Sequence, residues 1–460
     1  MLSGRSWINE DKLAMSYKGE SECSPLFFSM PLSLYCIQFD HPESSDQVIL
    51  FSTRTAATVA LTRDALKDLE RNALPVEEKE NLAALGLIVR STDEEKREML
   101  AYVDEMNKLN ASIRPVVVMN LDCNLACAYC FEGTRKGKYY LSEETSEDLV
   151  TFIDKQLPGK NEICPTFYGG EPLLNAEMIA SISERLRSLA DRRGAAYAFT
   201  MITNGTLLTR HTAERLKCLG LRNVTVTLDG PPEVHDSSRP FKSGSGSFDT
   251  IVRNIRDVCD LIEVNIGGNY TRENYRVFPR LFDALLNEGL GPRCVSSVEF
   301  SPVFNETTEF VPHFRGGCAS TNEAWIAEAG VFLRQEILSR GYRTPAMQPA
   351  VCMIEWRDRF VVNWDGGLYK CPNLIGRKNY CMGSVKSGIL DYNVIHNLGN
   401  WKNESCLSCC YLPLCFGGCR FMNLTNRGAA EGVDCKKDFF DRCLEALVLQ
   451  EMIYPNTVTT

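Results

Sequence analysis

Residues 120–131 read NLDCNLACAYCF and place Cys123, Cys127 and Cys130 on one short segment directly after an apolar run. Three thiolates at this C-x3-C-x2-C spacing can bind three irons of a four-iron cluster and leave the fourth iron without a protein ligand. An iron with an open position can bind a small molecule directly. A structural zinc site is normally closed by four protein ligands, so three cysteines without a fourth nearby disfavour zinc.

The composition excludes several classes of protein. The chain has 460 residues, enough for roughly three domains of about 150 residues each, and its net charge is −9. An acidic balance offers no basic face for nucleic acid. No run approaches the ~18 consecutive apolar residues of a transmembrane helix, and the polar N-terminus does not read as a secretory signal. We therefore expect no nucleic-acid partner and no membrane partner.

The 20 cysteines fall in clusters with ligand-like spacing, whereas the five histidines are scattered. In a long chain without an export signal, such clusters indicate metal binding rather than disulfides. An open iron–sulfur cluster is vulnerable to oxygen. The expected compartment is therefore a reducing, anaerobic cytoplasm.

The first 110 residues contain two kinds of segment. Residues 1–30 have little periodicity and predict a flexible N-terminal arm, and residues 31–110 predict a small module with a linker helix. The predicted elements are strands over 32–39 and 48–52, helices over 62–72 and 77–85, a strand over 87–90 and a linking helix over 94–110. Their order is similar to that of winged-helix-like leader-peptide recognition modules. The alternative is a structural extension that packs on the following domain.

From residue 111 to residue 315, strand-like and helix-like segments alternate. Strands are predicted over 115–121, 163–168, 197–203, 224–228, 262–266 and 295–301. Helices are predicted over 142–156, 176–190, 210–219, 248–260 and 274–287. Six strand–helix units predict an α/β fold with a parallel sheet and right-handed crossovers. Residues 316–350 predict a bridging helix, and the cysteine-rich residues 351–460 predict a C-terminal domain.

The cysteine motif after the first of these strands resembles the signature of the radical S-adenosylmethionine (SAM) superfamily. The resemblance implies a partial, TIM-like (β/α)6 barrel, with its chemistry at the C-terminal ends of the strands. It also implies a [4Fe–4S] cluster on Cys123, Cys127 and Cys130, with SAM bound at the open iron. In that superfamily, one electron splits SAM to methionine and a 5′-deoxyadenosyl radical, which abstracts a hydrogen atom from the substrate.

Further segments fall at strand ends in the order that the resemblance implies. A Gly-Gly-Glu-Pro segment is expected to hold the amino group of SAM, and hydroxyl and amide groups at the next strand ends suit its ribose and carboxylate. Arg239 is expected to reach the carboxylate, and Tyr129 to lie near the adenine. The expected SAM contacts are Tyr129, Gly169, Gly170, Glu171, Pro172, Thr203, Asn204, Thr227 and Arg239. The alternatives are a turn in which Glu171 caps the next helix, an ion-paired surface loop for Arg239 and a core aromatic at Tyr129.

Seven cysteines of the C-terminal region resemble the SPASM extension, which carries two auxiliary [4Fe–4S] clusters, so that three clusters are expected in total. By that pattern, a nearer cluster is held by Cys352, Cys371 and Cys419. A farther cluster is held by Cys406, Cys409, Cys415 and Cys435. A zinc ribbon, the alternative, would use only four of the seven.

The nearer cluster then lacks one ligand. Either Cys318, Cys381, Cys410 or Cys443 supplies it, or the iron stays open and is free to bind a substrate thiolate. We favour the open site.

The resemblance spans about residues 112–450 and is greatest to geopeptide radical SAM maturases. It implies an oxidoreductase that binds a Cys-rich, ribosomally made precursor peptide (a RiPP precursor) through its leader and forms a Cys thioether crosslink. A flavodoxin- or ferredoxin-type reductant is the expected electron donor. No catalytic base is assigned, because Asp229, Glu171 and Asp365 are all available.

Three other functions compete with this one. Anaerobic sulfatase-maturing enzymes, which form formylglycine, carry an Asp where Pro372 follows Cys371 here. Other peptide maturases form carbon–carbon crosslinks. A nonenzymatic iron–sulfur carrier would not need the segments at 169–172 and 203–205.

Overall fold

The computed structural model describes residues 30–130, 136–304, 316–317, 323–454 and 457–458. The predicted arm, apart from Met30, lies outside these ranges, and so does Cys318. The described chain begins with an antiparallel sheet followed by helices. These elements are β1 (Cys36–Asp40), β2 (Gln47–Ser52), β3 (Thr58–Thr62), α1 (Arg63–Glu70), α2 (Val76–Ala84) and α3 (Thr92–Leu109).

Two predictions for this N-terminal module are wrong. Strand β3 was not predicted, and residues 87–90 form only an isolated bridge between Leu32 and Ile88. A turn closed by the bond from the Cys36 amide to the Ser33 carbonyl, 3.1 Å, interrupts the chain after Leu32. Residues 87–90 therefore have almost no extended partner. The module is a three-stranded sheet with two helices, and the predicted closing strand is absent from it.

Strand β2 is buried on both faces. Val48 and Leu50 pack with the apolar residues of α1 and α2, whereas Ile49 and Phe51 pack with a cluster that includes Leu444 of the C-terminal helix. Successive side chains of a strand point to opposite faces, so a continuous apolar run fits burial on both sides. One face of the segment therefore covers the cysteine-rich C-terminal region.

The middle of the chain builds the α/β core. Its strands are β4 (Ser112–Ile113), β5 (Val116–Val118), β6 (Glu162–Ile163), β7 (Thr166–Tyr168), β8 (Ala196–Tyr197), β9 (Phe199–Thr203), β10 (Leu221–Thr227), β11 (Glu263–Tyr270) and β12 (Ser297–Phe304). Its helices are α4 (Glu143–Gln156), α5 (Ala176–Arg193), α6 (Arg210–Cys218), α7 (Pro232–Ser238), α8 (Phe248–Val258) and α9 (Arg280–Asn287). Polar caps start several helices; the Ser142 hydroxyl, for example, accepts from the Thr145 amide at 3.1 Å and begins α4.

The remaining elements follow the core. Strands are β13 (Gly316–Gly317), β14 (Thr344–Pro345), β15 (Val361–Val362), β16 (Leu368–Tyr369), β17 (Gly383–Ser384), β18 (Gly388–Ile389) and β19 (Thr457–Val458). Helices are α10 (Ala324–Ser339), α11 (Glu404–Leu407), α12 (Leu412–Cys415), α13 (Arg420–Arg427) and α14 (Lys437–Ile453). Short 3-10 turns cover Pro172–Asn175, Tyr275–Val277, Met353–Glu355, Pro372–Leu374 and Lys378–Tyr380.

The central sheet has nine strands in the order β13-β12-β11-β10-β9-β7-β5-β15-β16. The six strands from β5 to β12 are mutually parallel, which confirms the predicted α/β fold. The sheet is mixed rather than purely parallel, since β13 and β16 run antiparallel to their neighbours. Strand β15 of the C-terminal region pairs with β5, so that region extends the core sheet.

One predicted helix is broken. The segment 274–287 forms the 3-10 turn Tyr275–Val277 and then α9, with Pro279 at the N-cap of α9. Proline has no backbone N–H and cannot continue a helical hydrogen-bond ladder. The helix therefore restarts after Pro279.

Candidate functional site

A cavity of about 550 Å³ lies inside the curved sheet and at the C-terminal ends of its parallel strands; we call it the central cavity. Thr203 and Thr227 line it from two strand ends, as expected from the sequence. On β12, Ser297, Glu299 and Ser301 line it at alternate positions, because alternate residues of a strand share one face. The volume lies within the range of small-molecule sites.

Cys123, Cys127 and Cys130 all line the central cavity. Within the described ranges, no three His, Cys, Asp or Glu side chains converge closely enough to hold one metal ion. In a four-iron cluster the three thiolates bind different irons rather than one shared ion. The Sγ atom of Cys123 accepts from the Leu125 amide at 3.4 Å and from Asn204 Nδ2 at 3.7 Å. Such N–H···S bonds suit a thiolate ligand of a cluster.

Gly169 and Gly170 line the cavity and also dock against the start of the cysteine segment. A Cβ atom at Gly169 would lie 2.4 Å from the Asn120 carbonyl oxygen, and one at Gly170 would lie 2.1 Å from that of Asp122. The Gly170 amide donates to the Asn120 carbonyl at 3.0 Å. The paired glycines are therefore required for the close approach of two backbones, beyond any contact with a ligand.

The structure places the carboxylate of Glu171 away from the central cavity, and its contact with the amino group of SAM stays a prediction. Glu171 is fully buried, and neither it nor Pro172 lines the central cavity. The carboxylate accepts from the Leu173 amide at 3.0 Å, the Thr203 hydroxyl at 2.7 Å and the Asn204 amide at 2.8 Å. Burial raises the pKa of Glu171, and these donors oppose that shift. The capping alternative is the observed one, because Glu171 caps the 3-10 turn that Pro172 begins.

Asn204 lines the cavity and ties the third strand end to the cysteine segment. Its Nδ2 atom donates to Asn124 Oδ1 at 2.8 Å, and its Oδ1 atom accepts from the Thr206 amide at 2.9 Å. Asn254 in turn donates to the Thr206 carbonyl at 3.0 Å. The amide of Asn204 is thereby held against Cys123.

Tyr129 and Arg239 share a buried polar cluster at the cavity wall. Arg239 Nη1 donates to the Tyr129 hydroxyl at 2.7 Å, and this hydroxyl donates to the carboxylate of Asp229. The Asn269 amide donates to Asp229 Oδ1 at 2.7 Å. Burial raises the pKa of Asp229, whereas Arg239 and these donors lower it. The Nε–H of Arg239 is buried without a partner in the described protein, so the guanidinium retains an unsatisfied donor.

The segment 235–239 is a helix end rather than the expected loop. His235 Nδ1 accepts from the Asp229 amide at 3.1 Å, and its Nε2 atom lies 3.0 Å from the Ser247 hydroxyl, which donates to the Arg239 carbonyl at 2.7 Å. Burial lowers the pKa of His235 to about 3. The neutral ring therefore fixes the backbone of both Asp229 and Arg239.

Sequence reasoning did not identify Lys136. Its side chain lines the cavity and bonds to the thiol of Cys130. Burial lowers the pKa of Lys136, but the charges of Cys130, Cys123 and Cys127 raise it by more. The only signal in the sequence is a basic stretch, 135–138, shortly after the cysteine motif.

The C-terminal cysteines form two groups that correspond to the two predicted sets. In the nearer group (Cys352, Cys371 and Cys419), burial and then the charges of Cys419 and Cys352 raise the pKa of Cys371. Asn373, two residues after Cys371, lines the central cavity. The nearer group therefore adjoins that cavity.

A buried ion pair stands beside the nearer group. The guanidinium of Arg420 contacts the carboxylate of Glu355 and donates to the Gly418 carbonyl at 3.0 Å. Its charge lowers the pKa of Cys352, although burial raises it by more. A buried cation here favours the thiolate form that a cluster requires.

The farther group consists of Cys406, Cys409, Cys415 and Cys435. Burial raises the pKa of Cys415 to about 12, and the charges of Cys409, Cys406 and Cys435 add to this shift. Asn403 Nδ2 donates to Cys406 Sγ at 3.4 Å.

Three of the four candidates for an eighth ligand make other contacts, and one of them, Cys381, packs against the same apolar cluster as Cys371 and Cys419. Cys381 Sγ contacts the Gly383 carbonyl at 3.2 Å, and Cys443 Sγ contacts the Phe439 carbonyl at 3.1 Å. Cys410 bonds to Cys409, which belongs to the farther group. The fourth candidate, Cys318, is outside the described residues.

Residues 117–283 match the sequence profile described as the radical SAM superfamily, a range that contains the cysteine motif and the cavity segments. These residues therefore form a radical SAM domain. The protein is an enzyme, and members of that superfamily use SAM and a [4Fe–4S] cluster.

Relatives of this radical SAM enzyme cover different parts of it. The Fe-coproporphyrin III synthase of Methanosarcina barkeri is 31% identical over 185 residues, which are 39% of this chain. The chain spans only 43% of that relative's length. The serine-type anaerobic sulfatase-maturating enzyme of Bacteroides thetaiotaomicron is 25% identical over 355 residues, covering 69% of this chain and 84% of that protein.

Solved structures share the fold over a longer range. The radical SAM enzyme anSMEcpe, with bound AdoMet and Kp18Cys peptide, covers 74% of this chain and 99% of its own with a TM-score of 0.57 at 19% identity. SuiB of Streptococcus suis, bound to precursor peptide SuiA, covers 88% of this chain and 99% of its own with a TM-score of 0.51 at 15% identity. The fold is thus that of SPASM-type radical SAM enzymes. None of the helices in the described ranges has the length and apolar character needed to cross a membrane.

Proposed function

We propose that this radical SAM enzyme matures a Cys-rich, ribosomally made peptide by forming a thioether between a Cys sulfur and a carbon of the same peptide. The proposal rests on the nearer group of three thiols, which adjoins the central cavity. Asn373 lines that cavity and lies two residues after Cys371 of the group. A group of three thiols leaves one position of a four-iron cluster for another sulfur ligand. A Cys of the substrate suits that position.

We assign the first cluster to Cys123, Cys127 and Cys130, and SAM to the central cavity. When bound, SAM and the first cluster would supply the 5′-deoxyadenosyl radical. Two auxiliary clusters would accept the electron that is released when the thioether bond forms. The N–H···S bonds to Cys123 and the cation of Lys136 stabilise the thiolate form of the cysteine segment.

The wall of the cavity binds and orients SAM in this proposal. The guanidinium of Arg239 faces its carboxylate, since a planar cation with an unsatisfied donor suits an anionic group. The backbone at Gly169 and Gly170 faces its amino group. Asp229 and the neutral His235 hold Arg239 in place, because both are buried and hydrogen-bonded to its neighbours.

We assign residues 31–110 to leader-peptide recognition, with 111–315 as the radical SAM core, 316–350 as a bridge and 351–460 as the SPASM domain. Among the described residues, β1 and β3 each pair with β2 alone, so the sheet has two edges at which a peptide strand can add. The opposite face of the sheet packs on the cysteine-rich region. A leader bound at either edge would lie next to the cysteine-rich region, close to Cys409 of the farther group.

Sulfatase maturation is the second candidate function. It is favoured by the similarity to the Bacteroides enzyme over 69% of this chain and by the fold shared with anSMEcpe. In this chain, however, the residue after Cys371 is Pro372, which begins a 3-10 turn and has no group that can take a proton. The carboxylate that is expected at this place in a sulfatase maturase is missing.

Mass spectrometry of the modified peptide distinguishes the two functions. We would co-express the enzyme with a short Cys-rich candidate precursor peptide, and separately with the Kp18Cys peptide. Thioether formation removes two hydrogens per crosslink and leaves the Cys unreactive toward iodoacetamide, whereas formylglycine reacts with a hydrazide probe. Cys123→Ala should abolish both products, because it removes a ligand of the first cluster. Hydrazide reactivity with no thioether would contradict the proposed function.

A further inference from the structure

The central cavity contains one carboxylate that the proposed SAM site does not use. Glu299 lies in β12 between Ser297 and Ser301, and it is the one Asp or Glu among the described residues that line the cavity. The described residues make no hydrogen bond or ion pair with its carboxylate. Its side chain is accessible from the cavity and surrounded by protein elsewhere.

The other acidic candidates are already engaged. Glu171 and Asp229 are buried, each carboxylate is held by at least three hydrogen bonds, and neither lines the cavity. Asp365 Oδ1 accepts from Asn363 Nδ2 at 2.8 Å and from the Gly367 amide at 3.0 Å. A carboxylate saturated with donors is a poor proton acceptor, because protonation displaces those donors.

Glu299 also borders a second, smaller pocket of about 170 Å³ that shares Pro345 with the central cavity. Leu333 and Ile337 of α10 give this side pocket an apolar wall. Arg334 of the same helix lines it too, with its guanidinium bonded to Glu451 and to the Pro345 carbonyl. Glu299 therefore lies between the central cavity and the side pocket. An apolar side chain of the substrate can enter the side pocket while a neighbouring polar group of the substrate contacts the carboxylate of Glu299. Burial raises the pKa of Glu299 and brings it closer to that of a thiol.

We propose that Glu299 is the base that deprotonates the substrate thiol in the central cavity. The S–H bond breaks, the proton passes to a carboxylate oxygen of Glu299, and the electron pair stays on sulfur. The products are a thiolate and a neutral carboxylic acid, and no electron is transferred in this step. This inference rests on the proposed function and assigns the base that the sequence left open.

The test compares Glu299→Gln with wild type, using anaerobically reconstituted enzyme and whichever of the two peptides the wild type converts. The variant keeps the shape of the side chain and removes its basicity. We expect crosslink formation at neutral pH to fall by about 10²-fold or more, while 5′-deoxyadenosine is still formed. The crosslinking rate of the variant should recover toward pH ~9, where a free thiol ionises by itself. Glu263→Gln, at an exposed position on β11, is the matched control and should behave as wild type.

The pH profile separates a base from a merely structural residue. An unchanged crosslinking rate and pH profile in Glu299→Gln would overturn the assignment, and so would loss of SAM cleavage together with crosslinking at every pH. If the wild type converts neither peptide, or forms formylglycine, the proposed function itself fails and this base for crosslinking fails with it. A failure confined to Glu299 leaves wild-type crosslinking intact, so the two outcomes are distinguishable.

Discussion

The guanidinium of Arg239 lies 2.7 Å from the hydroxyl of Tyr129, on residues 110 positions apart in the chain. The same hydroxyl bonds to the buried carboxylate of Asp229. Tyr129 sits two residues after Cys127, so this bond joins the cluster segment to the end of α7. The proposed carboxylate site for SAM and the proposed cluster are thus held by one network.

Removing the Tyr129 hydroxyl should weaken SAM binding. In Tyr129→Phe, Arg239 and Asp229 lose a shared partner inside the protein, and an unsatisfied buried group costs about 1–3 kcal/mol. We expect the Kd for SAM to rise by roughly tenfold, since 1.4 kcal/mol corresponds to a factor of ten. Equilibrium titration of reconstituted protein measures this. Tyr139→Phe is the control, because that half-exposed ring stacks on Trp364 and its hydroxyl makes no hydrogen bond to the residues that the structure describes. Equal affinities for both variants would show that the network does not hold the SAM site.

Adding a methyl group at Gly170 should destabilise the core. The new Cβ would lie 2.1 Å from the Asp122 carbonyl oxygen, so two backbones must separate. Overpacking of this kind typically costs about 1–3 kcal/mol. We expect Gly170→Ala to lower the free energy of unfolding in urea and to reduce iron incorporation at the first cluster. Gly330→Ala has open space around its Cβ inside α10 and should be neutral or slightly stabilising. A fully stable Gly170→Ala would mean that this approach is not tight in solution.

The sequence predicted the parts of the fold that depend on local pattern. Six alternating apolar segments and their intervening amphipathic stretches correspond to β5 through β12, because a buried parallel strand is recognisable from its own residues. The break at Pro279 had a local signal too, and the continuous helix over 274–287 was predicted in spite of it.

What the sequence did not predict depends on partners far along the chain. Glu171 reads as a ligand-binding carboxylate until its bonds to Thr203 and Asn204, more than 30 residues later, are known. Glu299 alternates with Ser297 and Ser301 along its strand, and the sequence does not show that the face they share lines a cavity. The grouping of the C-terminal cysteines into two sets followed instead from the family resemblance, since their spacing alone allows other divisions.

Iron content should separate ligand cysteines from spare ones. Cys352→Ala should lose one four-iron cluster and still cleave SAM, because the nearer group is distinct from Cys123 and its partners. Cys381→Ala is the control: its thiol contacts the Gly383 carbonyl, so the variant should retain wild-type iron. Iron and sulfide analysis with electron paramagnetic resonance of the reduced proteins measures both. Loss of a cluster in Cys381→Ala would instead identify Cys381 as the eighth ligand.

Acid should destabilise the protein partly through His235. Burial lowers the pKa of His235 to about 3, while an unfolded histidine titrates near 6.5, so the unfolded state binds the extra proton between these values. The contribution of His235 to stability is therefore complete above pH ~6.5 and is lost as the pH falls toward 3, with a slope of at most about 1.36 kcal/mol per pH unit for one proton.

His235→Asn retains an acceptor for the Asp229 amide but does not titrate in this range. We expect urea unfolding of the metal-free variant to show a shallower decline between pH 6.5 and 4.5 than that of wild type, as a difference between the two curves. His396, whose pKa burial also lowers, remains in both proteins and cancels. Parallel curves would show that His235 is already charged in the folded protein, and would contradict the neutral ring that fixes Asp229 and Arg239.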